Sequence, residues 1–370
     1  MNVPFIDLSR LTREISEDVK ADWDECLARC EFVGGPRVTT LERTLERVLG
    51  APHAVTCANG TDAILIALQA LGVKQGSKVA LPNLTFWATY EAVAQLGAIP
   101  VLVDIDPDDL QLSFDEFVKA HDAHRFEAAV LVHLFGWASA RLTDFRKLCQ
   151  ERGIALLEDG AQSFGVEVDG EPILAKAAVG TLSFYPAKVI GGAMDGGAMT
   201  FQSADHEMLV RSLCNHGRSQ HYSYAHVGWN SRMGAVQAAF LLRMTAKLPQ
   251  ILESRRSAVN FYRERLSKTA GVKVFGPSAG IKENGYLSVL TSERHDGAFL
   301  TDALKKAGIG SARTYPETLD SQPPARSAIR FGNLAHSKRF CERVVNLPLF
   351  YGIRPEECEA AASAFLAAHA

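Results

Sequence analysis

The sequence predicts an α/β protein with a mostly parallel seven-stranded sheet in a large domain, followed by a smaller α+β domain. Short β-branched or aliphatic runs alternate with longer segments that carry apolar residues at helical spacing. The short runs are almost continuously apolar, which is typical of parallel strands covered by helices on both faces. The seven candidate strands are residues 54–57, 78–81, 101–104, 129–132, 154–157, 181–184 and 198–201.

Helices fill the intervals between these strands and dominate the C-terminal third. Helical periodicity marks residues 61–71, 89–95, 231–266, 297–307 and 355–368. A further short strand is predicted at 286–289. We place the domain change near Leu248, inside or just after the long helical stretch. This gives a large domain over residues 1–248 and a small domain over residues 249–370, a division that a chain of 370 residues can support.

Composition excludes several classes of protein. A formal net charge of -3 gives no electrostatic reason to expect nucleic acid or an acidic membrane surface as partner. No apolar run is long enough to span a bilayer, and the first residues lack the charged and apolar regions of a signal peptide, so we expect a cytoplasmic location. The seven cysteines are scattered without paired spacing, which predicts reduced thiols and no metal site.

Lys188 and Asp159 form the most informative pair in the sequence. Lys188 ends a run at residues 181–188 just before a glycine-rich turn, and Asp159 ends a buried-looking strand about 30 residues earlier. A lysine amine can form an imine with the aldehyde of pyridoxal phosphate (PLP), and a carboxylate can pair with the ring nitrogen of that cofactor. A single lysine is usually a solvated surface charge, so it is the pair that predicts a PLP enzyme.

Phosphate-binding candidates lie at other strand ends, where open α/β sheets place ligands. Gly60 and Thr61 leave a strand and open a helix, so their N–H groups and the Thr61 hydroxyl would face an anion. The simpler interpretation is an Asn-Gly turn with a threonine cap. Ser183 is a second candidate, or a strand-paired serine. Phe86 could stack on a planar ring, although core packing explains most such aromatics. His133, at the end of another strand, is expected to be a hydrogen-bonded structural group.

Other cofactor motifs are absent from the sequence. Neither a G-x-G-x-x-G following a strand nor a G-x-x-x-x-G-K-[ST] occurs, which argues against a dinucleotide or P-loop site. The glycine cluster at residues 191–197 precedes a strand rather than following one. No HExxH or His/Cys cluster suggests a metal.

Seven sequence blocks follow one another between residues 32 and 233. They are F-V-G-G-P at 32–36, N-G-T-D-A at 59–63, P-N-L-T-F at 82–86, E-D-G-A-Q at 158–162, S-F-Y-P-A-K at 183–188, D-G-G-A at 195–198 and G-W-N-S-R-M at 228–233. In order and spacing they resemble the DegT/DnrJ/EryC1/StrS family of PLP-dependent sugar aminotransferases. The resemblance implies the aspartate-aminotransferase-like fold of type I, in agreement with the predicted sheet and smaller domain.

The resemblance also implies a role for each matching residue. Lys188 would hold PLP and move the proton, and Asp159 would pair with the pyridine nitrogen. Gln162 would lie beside the ring and Phe86 on its face. The phosphate ligands would be Gly60, Thr61 and Ser183, with Asn230 reaching the phosphate from the neighbouring subunit. A homodimer with shared active sites is therefore expected.

The acceptor is the least determined part of the resemblance. Relatives commonly have H-Y-P-x-P-L-H where this chain has T-Y-P-E-T-L-D at 314–320, so both histidines are missing. The family implies L-glutamate as donor and a nucleotide-linked 3-keto or 4-keto hexose as acceptor, in surface-polysaccharide, lipopolysaccharide or antibiotic sugar biosynthesis. An 8-keto eight-carbon sugar acid, aminated to 8-amino-3,8-dideoxy-octulosonate, is the competing acceptor. Candidate substrate contacts are Arg232, His221, Tyr315 and Arg313.

Two alternatives belong to other classes. A PLP-dependent sugar dehydratase would share the cofactor residues, but dehydrating relatives carry histidine at the position of the lysine, so Lys188 favours transamination. A non-catalytic protein of the same fold would have little reason to keep Lys188, Asp159, Gln162, Ser183 and Asn230 together. Fold alone does not decide function, and here the predicted site residues favour the aminotransferase.

Overall fold

The computed structural model describes all residues from Met1 to Ala370. The strands are β1 (His53–Cys57), β2 (Lys78–Pro82), β3 (Ile99–Val103), β4 (Ala128–Val132), β5 (Ala155–Asp159), β6 (Glu167–Val168), β7 (Glu171–Pro172), β8 (Val179–Ser183), β9 (Gly197–Phe201), β10 (Arg218–Gln220), β11 (Ser223–Tyr224), β12 (Val272–Val274), β13 (Ile281–Lys282), β14 (Ser288–Ser292), β15 (Ile329–Arg330) and β16 (Val344–Leu347). The helices are α1 (Ser9–Ala28), α2 (Pro36–Leu49), α3 (Gly60–Ala70), α4 (Trp87–Gln95), α5 (Phe114–His124), α6 (Leu142–Arg152), α7 (Ala204–Cys214), α8 (Ala235–Ala246), α9 (Leu248–Leu266), α10 (Gly297–Lys306), α11 (Ala335–Arg343) and α12 (Pro355–His369).

The central sheet has the strand order β1-β9-β8-β5-β4-β2-β3-β15. Its first seven strands are the seven predicted from sequence, each within two residues of the predicted ends. Only β9 runs against its neighbours, because it pairs antiparallel with both β1 and β8. The eighth strand, the two-residue β15, comes from the C-terminal third and lies parallel to β3 at the edge. The predicted α/β fold with a mostly parallel sheet is confirmed.

Two large apolar cores cover the two faces of this sheet. Along β4, alternate residues point to opposite sides: Val130 and Val132 join the core with α3, α4 and α7, whereas Ala129 and Leu131 join the core with α1, α2, α5, α6 and α8. Both cores are fully buried at the sheet, which explains why the strands are apolar along their whole length. The strand ends are therefore the places where polar side chains can gather.

The C-terminal third builds a second, smaller sheet of order β12-β14-β16, which is antiparallel throughout. Helices α9, α10 and α12 pack around it in a third core, which also contains Val3. The predicted helical stretches over residues 231–266 are the two helices α8 and α9, which meet at Lys247, but residues 231–234 are not helical. Pro249, in the first turn of α9, has no N–H to continue α8. The domain division near Leu248 stays a prediction. None of the helices is long and apolar enough to cross a bilayer.

Candidate active site

The carboxyl ends of the central strands border a cavity of about 740 Å³. It is lined by the start of α3, by residues 85–95, by the segments after β5 and β8, and by three residues of the C-terminal third, Tyr286, Thr314 and Tyr315. The structure brings eight of the predicted site residues together here: Gly60, Thr61, Phe86, Asp159, Gln162, Ser183, Lys188 and Tyr315. They converge because parallel strands end at the same edge of a sheet.

Asp159, the last residue of β5, is buried at the floor of the cavity. Its Oδ1 accepts hydrogen bonds from the Ala161 N–H at 3.0 Å and from the Thr181 hydroxyl at 3.1 Å. Oδ2 has no protein donor. Burial raises the pKa of Asp159 above its ordinary value, although the Ala161 hydrogen bond and the charge of Lys188 oppose the rise. A carboxylate held in this way lacks a cationic partner at its free oxygen.

Gln162 connects two walls of the cavity. Its Oε1 accepts the Phe135 N–H at 2.6 Å, and its Nε2 donates to the Tyr315 hydroxyl at 2.8 Å. Burial raises the pKa of the Tyr315 phenol, so the phenol stays protonated at neutral pH. The ring centroid of Phe86 lies 6.3 Å from that of Tyr315, and 59% of the Phe86 surface is exposed. An exposed aromatic face that lines the same cavity as the free carboxylate can cover a planar ring.

The start of α3 provides an anion site against Ser183. Asn59 caps the helix by accepting the Asp62 N–H at 2.8 Å, so the cap is Asn59 and not the threonine of the simpler interpretation. The N–H groups of Gly60 and Thr61 bond to no protein acceptor. A Cβ atom at Gly60 would lie 2.8 Å from the Ser183 Cβ, so only glycine permits this approach. Free N–H groups of a helix N-terminus beside a hydroxyl are suited to a phosphate.

Lys188 carries the only amine in the cavity. Its Nζ lies 5.3 Å from the ring centroid of Tyr286, close enough for a cation–π contact. The remaining charged residues of the wall are acids: Asp62, Glu91, Asp159 and Asp195. Any substrate with several negative charges must therefore find most of its cationic partners outside this wall.

Four predicted residues lie outside the cavity of their own chain. Asn230 is exposed, and its Oδ1 accepts a hydrogen bond from the Arg232 guanidinium at 2.6 Å. His221 is exposed in the β10–β11 hairpin and contacts the Arg218 guanidinium. Arg313 donates to the Cys341 carbonyl at 2.8 Å and so braces the C-terminal third. The roles suggested for these four residues, Arg232 included, stay predictions.

Sequence reasoning missed Tyr286 and Thr181. Tyr286 lies far from Lys188 in the chain, and only the packing of the C-terminal third on the sheet brings the two together. Thr181 was assigned to a strand, but its bond to Asp159 depends on the parallel register of β5 and β8, in which the two residues are paired. That register was the one signal that could have identified Thr181.

The residues of the cavity fit PLP on four independent features. The free Oδ2 of Asp159 can accept the proton of a pyridine nitrogen, and the free N–H groups at the start of α3 can bind a phosphate. Phe86 offers a ring face in the same cavity. An amine, Lys188, lines the same cavity.

Comparison with known proteins agrees with this geometry. The model of the DegT/DnrJ/EryC1/StrS aminotransferase family matches residues 13–365. A UDP-N-acetyl-3-dehydro-alpha-D-glucosamine 3-aminotransferase of Acidithiobacillus ferrooxidans is 31% identical over 96% of this chain and 95% of its own. A UDP-2-acetamido-2-deoxy-3-oxo-D-glucuronate aminotransferase of Pseudomonas aeruginosa is 32% identical over 94% of this chain and 95% of its own.

Solved structures give the same result. A family member from Brucella abortus superimposes with a TM-score of 0.94 at 31% identity and covers 99% of both chains. DesV of S. venezuelae, in complex with a ketimine intermediate, reaches 0.95 at 29% identity and covers 100% of this chain and 99% of its own. The chain belongs to the DegT/DnrJ/EryC1/StrS aminotransferase family. It is a PLP-dependent sugar aminotransferase, with an amino donor and a keto sugar as substrates.

Proposed function

We propose that this enzyme transfers the amino group of L-glutamate to the 3-keto carbon of a nucleotide-linked hexose. The observation that carries the transaminase chemistry is the single amine, Lys188, in one cavity with the free Asp159 oxygen and the anion site of α3. The choice of a nucleotide-linked 3-keto hexose rests on the two relatives with identities of 31% and 32%, both of which are named for such acceptors. A 4-keto hexose and an 8-keto eight-carbon sugar acid are the competing acceptors.

PLP, when bound, supplies an aldehyde that takes up the amino group and a ring that accepts electron density. Gly60, Thr61 and Ser183 would hold its phosphate, and Asp159 Oδ2 would hold the proton at its ring nitrogen. Phe86 would cover one face of the ring and exclude water there. Gln162, held by its hydrogen bonds to the Phe135 N–H and the Tyr315 hydroxyl, would donate a hydrogen bond to the cofactor from the edge of the cavity.

Lys188 would act as the base and the acid of the reaction. Its amine would take a proton from the α carbon of the donor and would deliver a proton to the cofactor carbon that receives the nitrogen. In the second half, the same amine would take that proton back and would give one to the acceptor carbon. A positioned base typically accelerates such a transfer by ~10²–10⁴-fold. The neighbouring Tyr286 ring, 5.3 Å from Nζ, limits the positions that the amine can reach.

A second copy of the chain would complete the site. The segment from β10 to Asn230 exposes a group of large apolar side chains, with Tyr222 80%, Val227 90% and Trp229 39% accessible. Contiguous apolar surface of this kind usually marks an interface. Asn230 lies at its end and does not line its own cavity. We therefore infer a homodimer in which Asn230 serves the cofactor phosphate of the partner.

The absorbance spectrum of the purified PLP enzyme, with and without L-glutamate, tests the donor half. A long-wavelength band that moves to shorter wavelength on adding glutamate is the expected result. Keto sugars added to the glutamate-treated enzyme should restore the first band, the nucleotide-linked 3-keto hexose at the lowest concentration. Restoration by the eight-carbon acid alone would overturn the proposed acceptor. A coloured enzyme that does not respond to glutamate would favour the dehydratase.

Complementation tests the shared site. Lys188→Ala and Asn230→Ala subunits should each be poorly active alone, and mixing them under exchange conditions should restore activity, because one site of each mixed dimer is then intact. Mixtures no more active than the separate variants would contradict the shared site. Light scattering of the wild type gives the oligomeric state independently.

A further inference from the structure

Arg255 is a buried cation without an anionic partner. It lies on α9 with 6% of its surface exposed, and no carboxylate approaches within 4.0 Å. Its Nη1 makes only long contacts with three carbonyl oxygens, those of Gly285 at 3.3 Å and of Tyr286 and Leu349 at 3.5 Å. Its Nε has no partner at all. Buried arginines are normally paired, because an unpaired charge in the interior is costly.

The next residue on the helix, Arg256, is an arginine whose charge is paired with a carboxylate. Arg256 lies 3.6 Å from the Glu167 carboxylate and donates to the Glu283 carbonyl at 2.6 Å. Burial lowers the pKa of Arg255 to about 10, and the only effect that opposes this lowering is the attraction to Tyr286. The contrast indicates that the environment of Arg255 lacks one negative charge.

Arg255 and Lys188 line the same small cavity, which lies against the chain segment that carries the lysine. Its volume is about 50 Å³, against the roughly 10–15 Å³ that a single buried water needs. It can therefore admit a carboxylate group but not a whole amino acid. Asp7 also lines it, yet Asp7 is engaged by Ser9 and by Arg10 at 3.2 Å and makes no ion pair with Arg255.

Two features connect this small cavity to the larger one. Lys188 lines both, so its side chain is a shared wall. Tyr286 places its ring 5.3 Å from the lysine Nζ while its carbonyl faces Arg255 at 3.5 Å. Within the large cavity Lys188 is the only cation among four acids, although the proposed donor, glutamate, brings two carboxylates.

We propose that Arg255 binds a carboxylate of the amino donor and thereby selects dicarboxylic amino acids over neutral ones. This inference rests on the proposed donor half-reaction. The carboxylate would enter when the Lys188 side chain swings away from the shared wall. A buried halide ion could satisfy the same guanidinium, so the experiment must separate the two anions.

The test uses the full-length PLP enzyme and the variant Arg255→Met, whose apolar side chain suits the neighbouring Met244, Ile251 and Phe350. We expect the glutamate concentration for half-maximal spectral change to rise roughly 10- to 100-fold, the usual effect of losing a charged hydrogen bond. The limiting rate of that change should stay within a few-fold. Arg256→Met is the matched control and should leave half-saturation unchanged. Arg255→Lys, which keeps the charge, should fall between wild type and Arg255→Met and guards against a folding defect.

A second readout does not depend on turnover. Glutarate, which has both carboxylates but no amine, should raise the melting temperature of the wild type and of Arg256→Met, and fail to do so in Arg255→Met. Unchanged half-saturation in Arg255→Met would overturn the inference. So would stabilisation of the wild type by chloride that disappears in Arg255→Met while glutarate has no effect. If the wild type ignores glutamate as donor, the proposed function fails, and the glutarate series still decides whether Arg255 binds carboxylates.

Discussion

Glu158 and Asp159 are adjacent acids on β5 whose side chains point to opposite faces of the central sheet. Both oxygens of Glu158 are hydrogen-bonded. The carboxylate accepts hydrogen bonds from the Arg146 guanidinium at 2.8 and 2.9 Å and contacts the His133 ring nitrogen at 3.0 Å. Burial opposes its ionisation, but the hydrogen bonds from His133 and Arg146 prevail and hold the pKa of Glu158 below its ordinary value. Asp159 receives only neutral donors, at one oxygen, and its pKa is raised.

The difference separates a stabilising charge from a functional one. Glu158 is paired within the chain, so it contributes to folding and has no capacity left for a ligand. Asp159 has no partner at one oxygen, so its charge destabilises the cofactor-free protein. Only a cation in the cavity relieves this destabilisation. His133, whose structural role was expected from sequence, belongs to the Glu158 side and helps to orient that carboxylate.

Lys188→Ala should have the largest effect on the functional side. Turnover should fall to an essentially undetectable level, because the variant loses both the base, worth ~10²–10⁴-fold, and the covalent anchor of the cofactor. Steady-state assay measures the loss, and the melting temperature of the cofactor-free protein should not change. Lys176→Ala, which removes a lysine from an exposed pair with Glu171, is the control and should retain full activity. Appreciable turnover by Lys188→Ala would contradict the assignment of the base.

Arg146→Met should have the largest effect on the stabilising side. It leaves the Glu158 carboxylate, 1% exposed, with His133 as its only partner, so we expect a loss of about 3–5 kcal/mol in the free energy of unfolding. Urea unfolding of the cofactor-free protein measures it. Arg152→Met on the same helix breaks a pair whose acid, Asp122, is 54% exposed, and should cost no more than about 1 kcal/mol. Equal losses in the two variants would contradict the interpretation of Glu158 as a stabilising charge.

Asp159→Asn should weaken cofactor binding and flatten its pH dependence. In the wild type, protonation of the carboxyl abolishes its attraction for the ring nitrogen. Because the pKa of Asp159 is raised, PLP affinity should begin to fall at a higher pH than the ordinary value of 3.8 implies. Fluorescence titration with PLP across this acidic range measures the effect. A wild-type profile identical in shape to that of Asp159→Asn would show that this carboxyl is not the group responsible.

The smallest expected effect has the opposite sign. A carboxyl whose pKa is higher in the folded than in the unfolded state lowers stability once the pH is above both values, and the penalty disappears as the pH falls through the folded pKa. Asp159→Asn should therefore stabilise the cofactor-free protein at neutral pH by roughly 1 kcal/mol. Thermal melting at neutral pH, repeated in acid where the gain should vanish, gives the comparison. Destabilisation of the cofactor-free protein by Asp159→Asn at neutral pH would contradict the interpretation of Asp159 as an unpaired functional charge.

The sequence by itself determined the seven strands and the convergence of Lys188, Asp159 and the start of α3. Apolar runs identify buried strands locally, and parallel strands must present their carboxyl ends at one edge, so short-range patterns suffice for this part of the site. The resemblance added two predictions, that Gln162 lies beside the cofactor ring and that Tyr315 contacts substrate. In the structure a hydrogen bond of 2.8 Å joins these two residues, which lie far apart in the chain.

Only the tertiary structure decided which charges are satisfied. Alternation along β5 predicts that Glu158 and Asp159 face opposite sides, but the pairing of Glu158 with α6 depends on how that helix packs. The same holds for Tyr286 beside Lys188 and for the unpaired Arg255. Each of these contacts joins residues from different layers of the fold, and neither residue type nor spacing encodes such distances until the apolar cores have set the positions of the helices.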